Sequence, residues 1–384
     1  MSTSSSMSES RSDVLDAIVV GAGQAGLAVG HHLARRGASH LLVDGAPRIG
    51  HSWSSRWDSL RLFSPAQYDS LPGMPFPAPV DTHPSKDEVA DYLAAYARHF
   101  DLPVRLNSPV LRLHRDTDAH FAVTTPSDTL RARSVVVATG PFQTPRIPTL
   151  AADLPPEVPQ LHSADYRGPG QLPDGARALV VGAANSGLQI AAELAGRCTV
   201  TVAVGSRPPE LPQRVAGRDL FFWLSKARFF TMPATSRVAR RLRRRGDIVI
   251  GTSSRDLRRV GVAFRPRLTG FAGRTATFAD GARADVDAVV WATGYRPDYS
   301  WLHVPGAIVD GEVRHEGGVT AVPGLYFVGL PWQTCRGSAL LGFVGADAER
   351  IAGRALAHSA PPAAYRAEVT SAVQAVAGGR EESC

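Results

Sequence analysis

Cysteine is almost missing from this chain. There are three in 384 residues, Cys198, Cys335 and Cys384, and none forms a C-x-x-C or a closely spaced pair. That usage excludes a disulfide framework and most cysteine-rich metal sites, so no metal is expected. It also excludes electron relay through a paired-cysteine centre. Long apolar runs are missing as well. No stretch approaches the roughly 18 residues that span a bilayer, and no transmembrane segment is expected. The Ser-rich first 12 residues have no apolar core and no cleavage site. They read as a disordered tail rather than a signal peptide, and the expected location is cytoplasmic. Strong charge of one sign is also lacking: 42 Lys and Arg against 35 Asp and Glu give +7. The main basic cluster runs from Arg240 to Arg245. With no nucleic-acid-binding motif beside it, it reads as a solvated helix face, and no nucleic-acid partner is expected.

What the chain does hold is two dinucleotide-binding fingerprints. The first is Asp16-Ala-Ile-Val-Val-Gly21-Ala-Gly23-Gln24-Ala25-Gly26, followed by Asp44 at the end of the apolar run Leu41-Leu42-Val43. The second is Ala178-Leu-Val-Val-Gly182-Ala-Ala184-Asn185-Ser186-Gly187. A lone G-x-G-x-x-G is weak evidence. Here the glycines follow a strand-like run, open an Ala-rich helical pattern and meet an acid 23 residues after Gly21. That context predicts a pyrophosphate on the helix N-terminus and a ribose hydroxyl on Asp44. Two such units suggest two dinucleotides held near each other, with electron transfer between them.

With 384 residues, 44% of them hydrophobic, there is material for two ordinary cores. Lys86 to Phe100 reads as an amphipathic helix with Val89, Tyr92, Leu93 and Tyr96 on one face. Alternations at Val110–His114 and Phe121–Thr124 predict a small sheet crossing the main one. Two Ala-Thr-Gly turns end buried strands, at Thr139-Gly140 and at Thr293-Gly294-Tyr295. Between them the Pro-rich stretch 141–159 reads as a linker. The pair of turns predicts one α/β Rossmann-like domain inserted into another. Residues 13–145 and 288–384 would form the outer domain, and 146–287 the inserted one. The segment from Ser338 onward reads as a terminal helix, and His31-His32 as surface residues of the first helix.

With these parts in place, the chain from Asp16 to Gly345 resembles the flavin-containing monooxygenases, and is most similar to their short forms, the plant indole-3-pyruvate monooxygenases. The resemblance implies FAD in the outer domain and NADPH in the inserted one. Its FAD positions map onto Gly21, Gly23, Gln24, Ala25, Gly26, Asp44, Trp53, Val110, Thr139, Gly140, Gly329, Leu330 and Ser338. Ser338 would cap a C-terminal helix aimed at the flavin pyrimidine ring. Its NADPH positions map onto Gly182, Ala184, Asn185, Ser186, Gly187, Thr293, Gly294 and Tyr295. The second unit has no acid after its second strand but Gly205-Ser206-Arg207, so Ser206 and Arg207 are expected on the 2′-phosphate of NADPH.

Three departures stand out. Before the second fingerprint, the family's F-x-G-x-x-x-H-x-x-x-Y/F reads here with Pro156 and Val158 in place of Phe and Gly, while His162 and Tyr166 match. Ala184 replaces the middle glycine, where a Cβ would crowd a pyrophosphate. No Asn follows the first helix near the flavin, and Ser64 is the nearest polar candidate for a catalytic group. The activity implied is reduction of FAD by NADPH, activation of O2 as a flavin hydroperoxide, and oxygenation of a small-molecule substrate. An NADPH oxidase or reductase without oxygen insertion, or a redox-sensing regulator, would use the same two nucleotide units. Neither the substrate nor the oligomeric state is legible.

Overall fold

The computed structural model of the protein describes residues 14–246 and 248–359. The expected tail at 1–12, and Cys384, lie outside the described residues. Two parallel sheets organise the chain, each built round a fingerprint strand.

In the larger sheet the β-rich run Leu15–Val20 (β1) lies between His40–Val43 (β2) and Thr129–Val137 (β6). Val104–Arg105 (β3) extends it beyond β2, and Leu325–Phe327 pairs in parallel with β6 on the other side. Arg112–Arg115 (β4) and Phe121–Thr124 (β5) form the antiparallel extension expected from their alternation, attached through the first half of β6. Gln24–Ala34 (α1) follows the first glycine loop, and the short His51–Ser54 (α2) carries Trp53. Lys86–His99 (α3) starts on a capping box, in which the Ser85 hydroxyl accepts from Glu88 N–H and the Glu88 carboxylate accepts from Ser85 N–H. Its predicted apolar face, Val89, Tyr92, Leu93 and Tyr96, is fully buried.

The smaller sheet has the order Ala263–Arg265, Thr199–Ala203 (β10), Arg177–Val181 (β9), Ala288–Trp291 and Gln160–His162 (β8), with every pairing parallel. Asn185–Leu194 (α4) follows the second glycine loop. All of these strands fall in the chain between β6 and Leu325–Phe327. The two crossings run side by side, because Thr144–Pro145 (β7) pairs antiparallel with Tyr295–Arg296. The Pro-rich stretch packs rather than merely linking, with Leu154 and Val158 in the core of the smaller sheet. Three more helices, Leu220–Lys226 (α5), Arg237–Arg245 (α6) and Ser254–Arg259 (α7), interrupt it after β10. The last helix, Gly345–Ser359 (α8), packs on α1 and β6.

Two expectations fail here. His31 and His32 are buried, not superficial. Every residue of α1 from Ala25 to Leu33 is buried, because α3 and α8 cover the helix side that does not face the sheet. His31 lies edge-on to Phe100, with ring centroids 4.2 Å apart. The terminal helix starts at Gly345, seven residues later than Ser338. Ser338 is fully buried, and its Oγ instead accepts the backbone N–H groups of Thr334 and Cys335 in the preceding turn. It caps no helix.

Candidate active site

The two glycine loops are built alike. Gly21 has φ +104° and Gly182 has φ +120°, conformations that L side chains rarely adopt. A Cβ on Gly21 would lie 2.7 Å from the Ala138 carbonyl oxygen, and one on Gly182 2.3 Å from that of Ala292. Each loop therefore touches the strand that ends in its Ala-Thr-Gly turn. The third positions match too: a Cβ on Gly26 would meet Gly21 O at 1.9 Å, and one on Gly187 would meet Gly182 O at 2.0 Å. These glycines set helix against strand, and neither lines the cavity. The middle positions behave differently. Gly23 and Ala184 both precede their helices in ordinary extended backbone, and a Cβ on Gly23 would meet nothing. The protein itself does not need glycine there.

Both loops open onto one cavity of about 1730 Å³. Single small-molecule sites measure roughly 300–1,000 Å³, so this volume suits more than one ligand. The helix N-termini of α1 and α4 supply unpaired backbone N–H groups to it, the standard seat for a pyrophosphate. The charged lining residues are Arg56, Arg61, Arg146, Arg267, Arg296 and Arg336 against Asp44 and Asp69, an excess that favours phosphates. The Cβ-free space at Gly23, the helix ends and the cavity volume fit FAD at the first loop and a nicotinamide dinucleotide at the second.

The structure brings most of the anticipated residues to this cavity. Gly21, Gly23, Gln24, Ala25, Asp44, Trp53, Val110, Thr139, Gly140 and Gly329 line its first part. Trp53 is held there by its indole N–H, which donates to Gln24 Oε1 at 3.3 Å. Gly182, Ala184, Asn185, Ser186, Ser206, Thr293, Gly294 and Tyr295 line the second part, and Ser64 is also present. Leu330 and Ser338 do not reach it: Leu330 packs against the core beneath the larger sheet, and Ser338 is tied into its turn. Arg207 is exposed and outside the lining. Arg267, 60 residues further on, takes that place and donates to Gly205 O at 3.1 Å. It arrives because Ala263–Arg265 pairs with β10, a juxtaposition no local motif announces.

Two residues of the motif before the second fingerprint are structural pins. His162 Nδ1 accepts the Ala164 N–H, so its Nε2–H donates to Gly294 O at 3.0 Å and the ring is neutral. Burial lowers its pKa, which keeps that form. Its ring also stands edge-on to Tyr295, with centroids 5.0 Å apart, fixing the second crossing turn. Tyr166 is buried and donates to Glu193 at 3.1 Å, with its phenol pushed well above the usual range by burial first and then by that carboxylate.

Three groups escaped the sequence reading. Arg56 donates to the Tyr295 hydroxyl and lies 5.1 Å from its ring centroid, tying the segment after α2 to the second crossing. Gln143 donates to Thr139 Oγ1 and Gly140 O and accepts from Asp298 N–H, joining the first turn to the far side of the second. Asp69 lines the cavity, buried, beside Ser64.

A family model for pyridine nucleotide-disulphide oxidoreductases matches residues 18–225. The chain is 31% identical over 387 residues to indole-3-pyruvate monooxygenase YUCCA8 of Oryza sativa subsp. indica, covering 88% of this chain and 90% of that one. The structure of a flavin-containing monooxygenase from Stenotrophomonas maltophilia superposes with a TM-score of 0.75 at 31% identity, over 91% of this chain and all of the other. The chain belongs to the flavin monooxygenases of that oxidoreductase family. It is also 42% identical to an uncharacterized oxidoreductase, CzcO-like, of Geobacillus kaustophilus, over 90% of this chain and 99% of that one. As a flavin monooxygenase it is an oxidoreductase, and the disulphide of the family's title finds no counterpart among the described residues. Cys198 and Cys335 are both free thiols. Among the described residues no helix is long and apolar enough to cross a membrane.

Proposed function

We propose that this chain is an FAD- and NADPH-dependent monooxygenase that places one oxygen atom of O2 on a small organic substrate. The observation that carries the reading is the opening of two glycine loops, 161 residues apart in sequence, onto one continuous cavity. Bound FAD, reduced by NADPH, supplies the electrons that activate O2.

The protein's own residues bind and orient. Gly21 and Gly23, with the N-terminus of α1, seat the first pyrophosphate, and Asp44 stands at the ribose. Ala184 to Ser186, with the N-terminus of α4, seat the second, and Arg267 reaches toward its 2′-phosphate. Gln143 holds the two crossing turns together while Arg56 and His162 fix the second, so the two seats keep their distance. The aromatic end of the cavity excludes water from the reacting atoms. The FAD domain would comprise residues 13–145 and 288–384, and the NADPH domain 146–287.

The test is a steady-state measurement of NADPH consumption over amines, thioethers and 2-oxo acids, with product and hydrogen peroxide both determined. Substrate-stimulated consumption matched by oxygenated product supports the proposal. Consumption matched entirely by peroxide, or by a reduced acceptor, would make the protein an oxidase or reductase.

A further inference from the structure

One end of the cavity is walled by aromatic rings. Phe221 and Phe230 stack at 4.7 Å, Phe343 lies 4.6 Å from Phe230, and Phe63 and Tyr68 pack on Phe221 at 5.9 and 5.8 Å. Into this apolar wall the loop 63–69 sets a single carboxyl group. Asp69 is only 2% exposed. Its Oδ1 meets the Ser64 hydroxyl at 2.6 Å, while its Oδ2 is buried with no hydrogen-bond partner among the described residues. A buried polar atom left without a partner costs about 1–3 kcal/mol, and because Asp69 lines the cavity a small turn of its carboxyl group would let a ligand there complete it.

We propose that Asp69 is the hydrogen-bond donor through which this aromatic chamber recognises a carbonyl-bearing apolar substrate. The assignment of that molecule as substrate rests on the monooxygenase reading; its binding does not. Burial pushes the Asp69 carboxyl up to about 7, and the Ser64 hydrogen bond opposes this only in part. The other titratable group facing it is the Tyr92 phenol of α3, itself pushed up to about 12 and neutral. The aromatic wall brings only the Tyr68 phenol, packed on Phe221. A carboxyl held neutral by an apolar site carries a proton on its free oxygen, and a carbonyl oxygen is the matching acceptor. An ammonium group would match an ionised carboxylate instead, but the excess of arginine over aspartate around the cavity repels cations. Binding of the carbonyl compound favours the neutral acid further. Above about pH 7 binding therefore takes up a proton, and affinity falls as pH rises.

The experiment uses FAD-loaded protein and titration calorimetry with acetophenone, ethylbenzene and benzylamine, near pH 6 and near pH 8.5. The wild type should bind acetophenone about tenfold tighter than ethylbenzene near pH 6, the worth of one buried hydrogen bond. That advantage should shrink near pH 8.5, with proton uptake seen as a buffer-dependent heat. Asp69→Asn keeps an N–H donor and should preserve the advantage at both pH values. Asp69→Leu should abolish it without weakening ethylbenzene. Should the leucine variant not fold, the pH-independence of Asp69→Asn decides alone. An acetophenone advantage with the same pH dependence in Asp69→Asn as in wild type would overturn the proposal. So would benzylamine as the tightest probe, lost in Asp69→Asn. Normal probe binding with no oxygenated product would sink the monooxygenase reading and leave this one standing.

Discussion

The Asp44 carboxylate closes on the fingerprint loop it follows: its Oδ2 accepts the Ala22 N–H at 2.6 Å, and its Oδ1 accepts the Ala46 N–H at 2.8 Å. The acid thus shapes the first fingerprint loop itself, besides the ribose contact proposed for it. Hydrogen bonds to a charged acceptor contribute about 1.5–3 kcal/mol each, and removing the carboxylate leaves two N–H groups without it. Asp44→Ala should therefore lower FAD retention by roughly tenfold or more, read as visible flavin absorbance per protein after dialysis. Full retention would mean that neither the loop nor the ribose depends on Asp44.

The glycines of each loop separate into two kinds, and substitution should tell them apart. Gly26→Ala and Gly187→Ala drive a Cβ to about 2 Å from a backbone oxygen of the preceding loop. Both should lower the melting temperature of the protein stripped of cofactor, because helix and strand must separate. A Cβ added at Gly23 meets no protein atom within 4 Å, so Gly23→Val grows into open space. It should leave that melting temperature nearly unchanged while abolishing FAD binding, since the branched side chain occupies the cofactor's space. Ala184→Gly should tighten NADPH binding modestly and leave FAD content alone. Equal destabilisation by Gly23→Val and Gly26→Ala would contradict the division.

The fingerprints were legible in the sequence because steric demands write them: Gly21 and Gly26 sit where a Cβ cannot, and the same holds for Gly182 and Gly187. The two sheets and the antiparallel extension followed from alternation and from the strand-ending turns. What stayed hidden depends on contacts across long separations. Arg267 rather than Arg207 lines the cavity, brought there by a strand pairing, and Ser338 lies in a turn whose length the pattern of the following helix does not reveal. His31 and His32 read as polar, yet α3 and α8, distant in sequence, cover them. Asp69 was missed beside the noticed Ser64, because only the folded loop shows that its second oxygen is buried and unmet.

Arg267 and Arg207 offer a direct comparison. Arg267 lines the cavity beside Gly205 and Ser206, while Arg207 is exposed and outside the lining. One charge-assisted bond to the 2′-phosphate is worth about 1.5–3 kcal/mol. Arg267→Ala should then raise KM for NADPH roughly tenfold or more and leave KM for NADH nearly unchanged. Arg207→Ala should change neither by more than about twofold. The opposite ranking would restore the assignment drawn from motif spacing.

The buried histidines of α1 predict a pH-dependent stability. Burial is the main cause that lowers both, His32 to about 4, with the neighbouring His31 and the arginines Arg36 and Arg35 adding to it. His32 is thus neutral in the folded protein where it would be protonated in the unfolded chain. Its contribution is fully present above pH 6.5 and is lost as pH falls from there to about 4, because the unfolded state binds the extra proton. Asp69 acts with the opposite sign, favouring the folded state below 3.8 and losing that contribution as pH rises to about 7. The histidine term is therefore read as a difference between proteins. His32→Leu should narrow the fall in melting temperature between pH 7 and pH 5 relative to wild type, whatever its effect at pH 7. Parallel curves for the two proteins would show that His32 carries no net titration on unfolding, and that its burial has no bearing on acid stability.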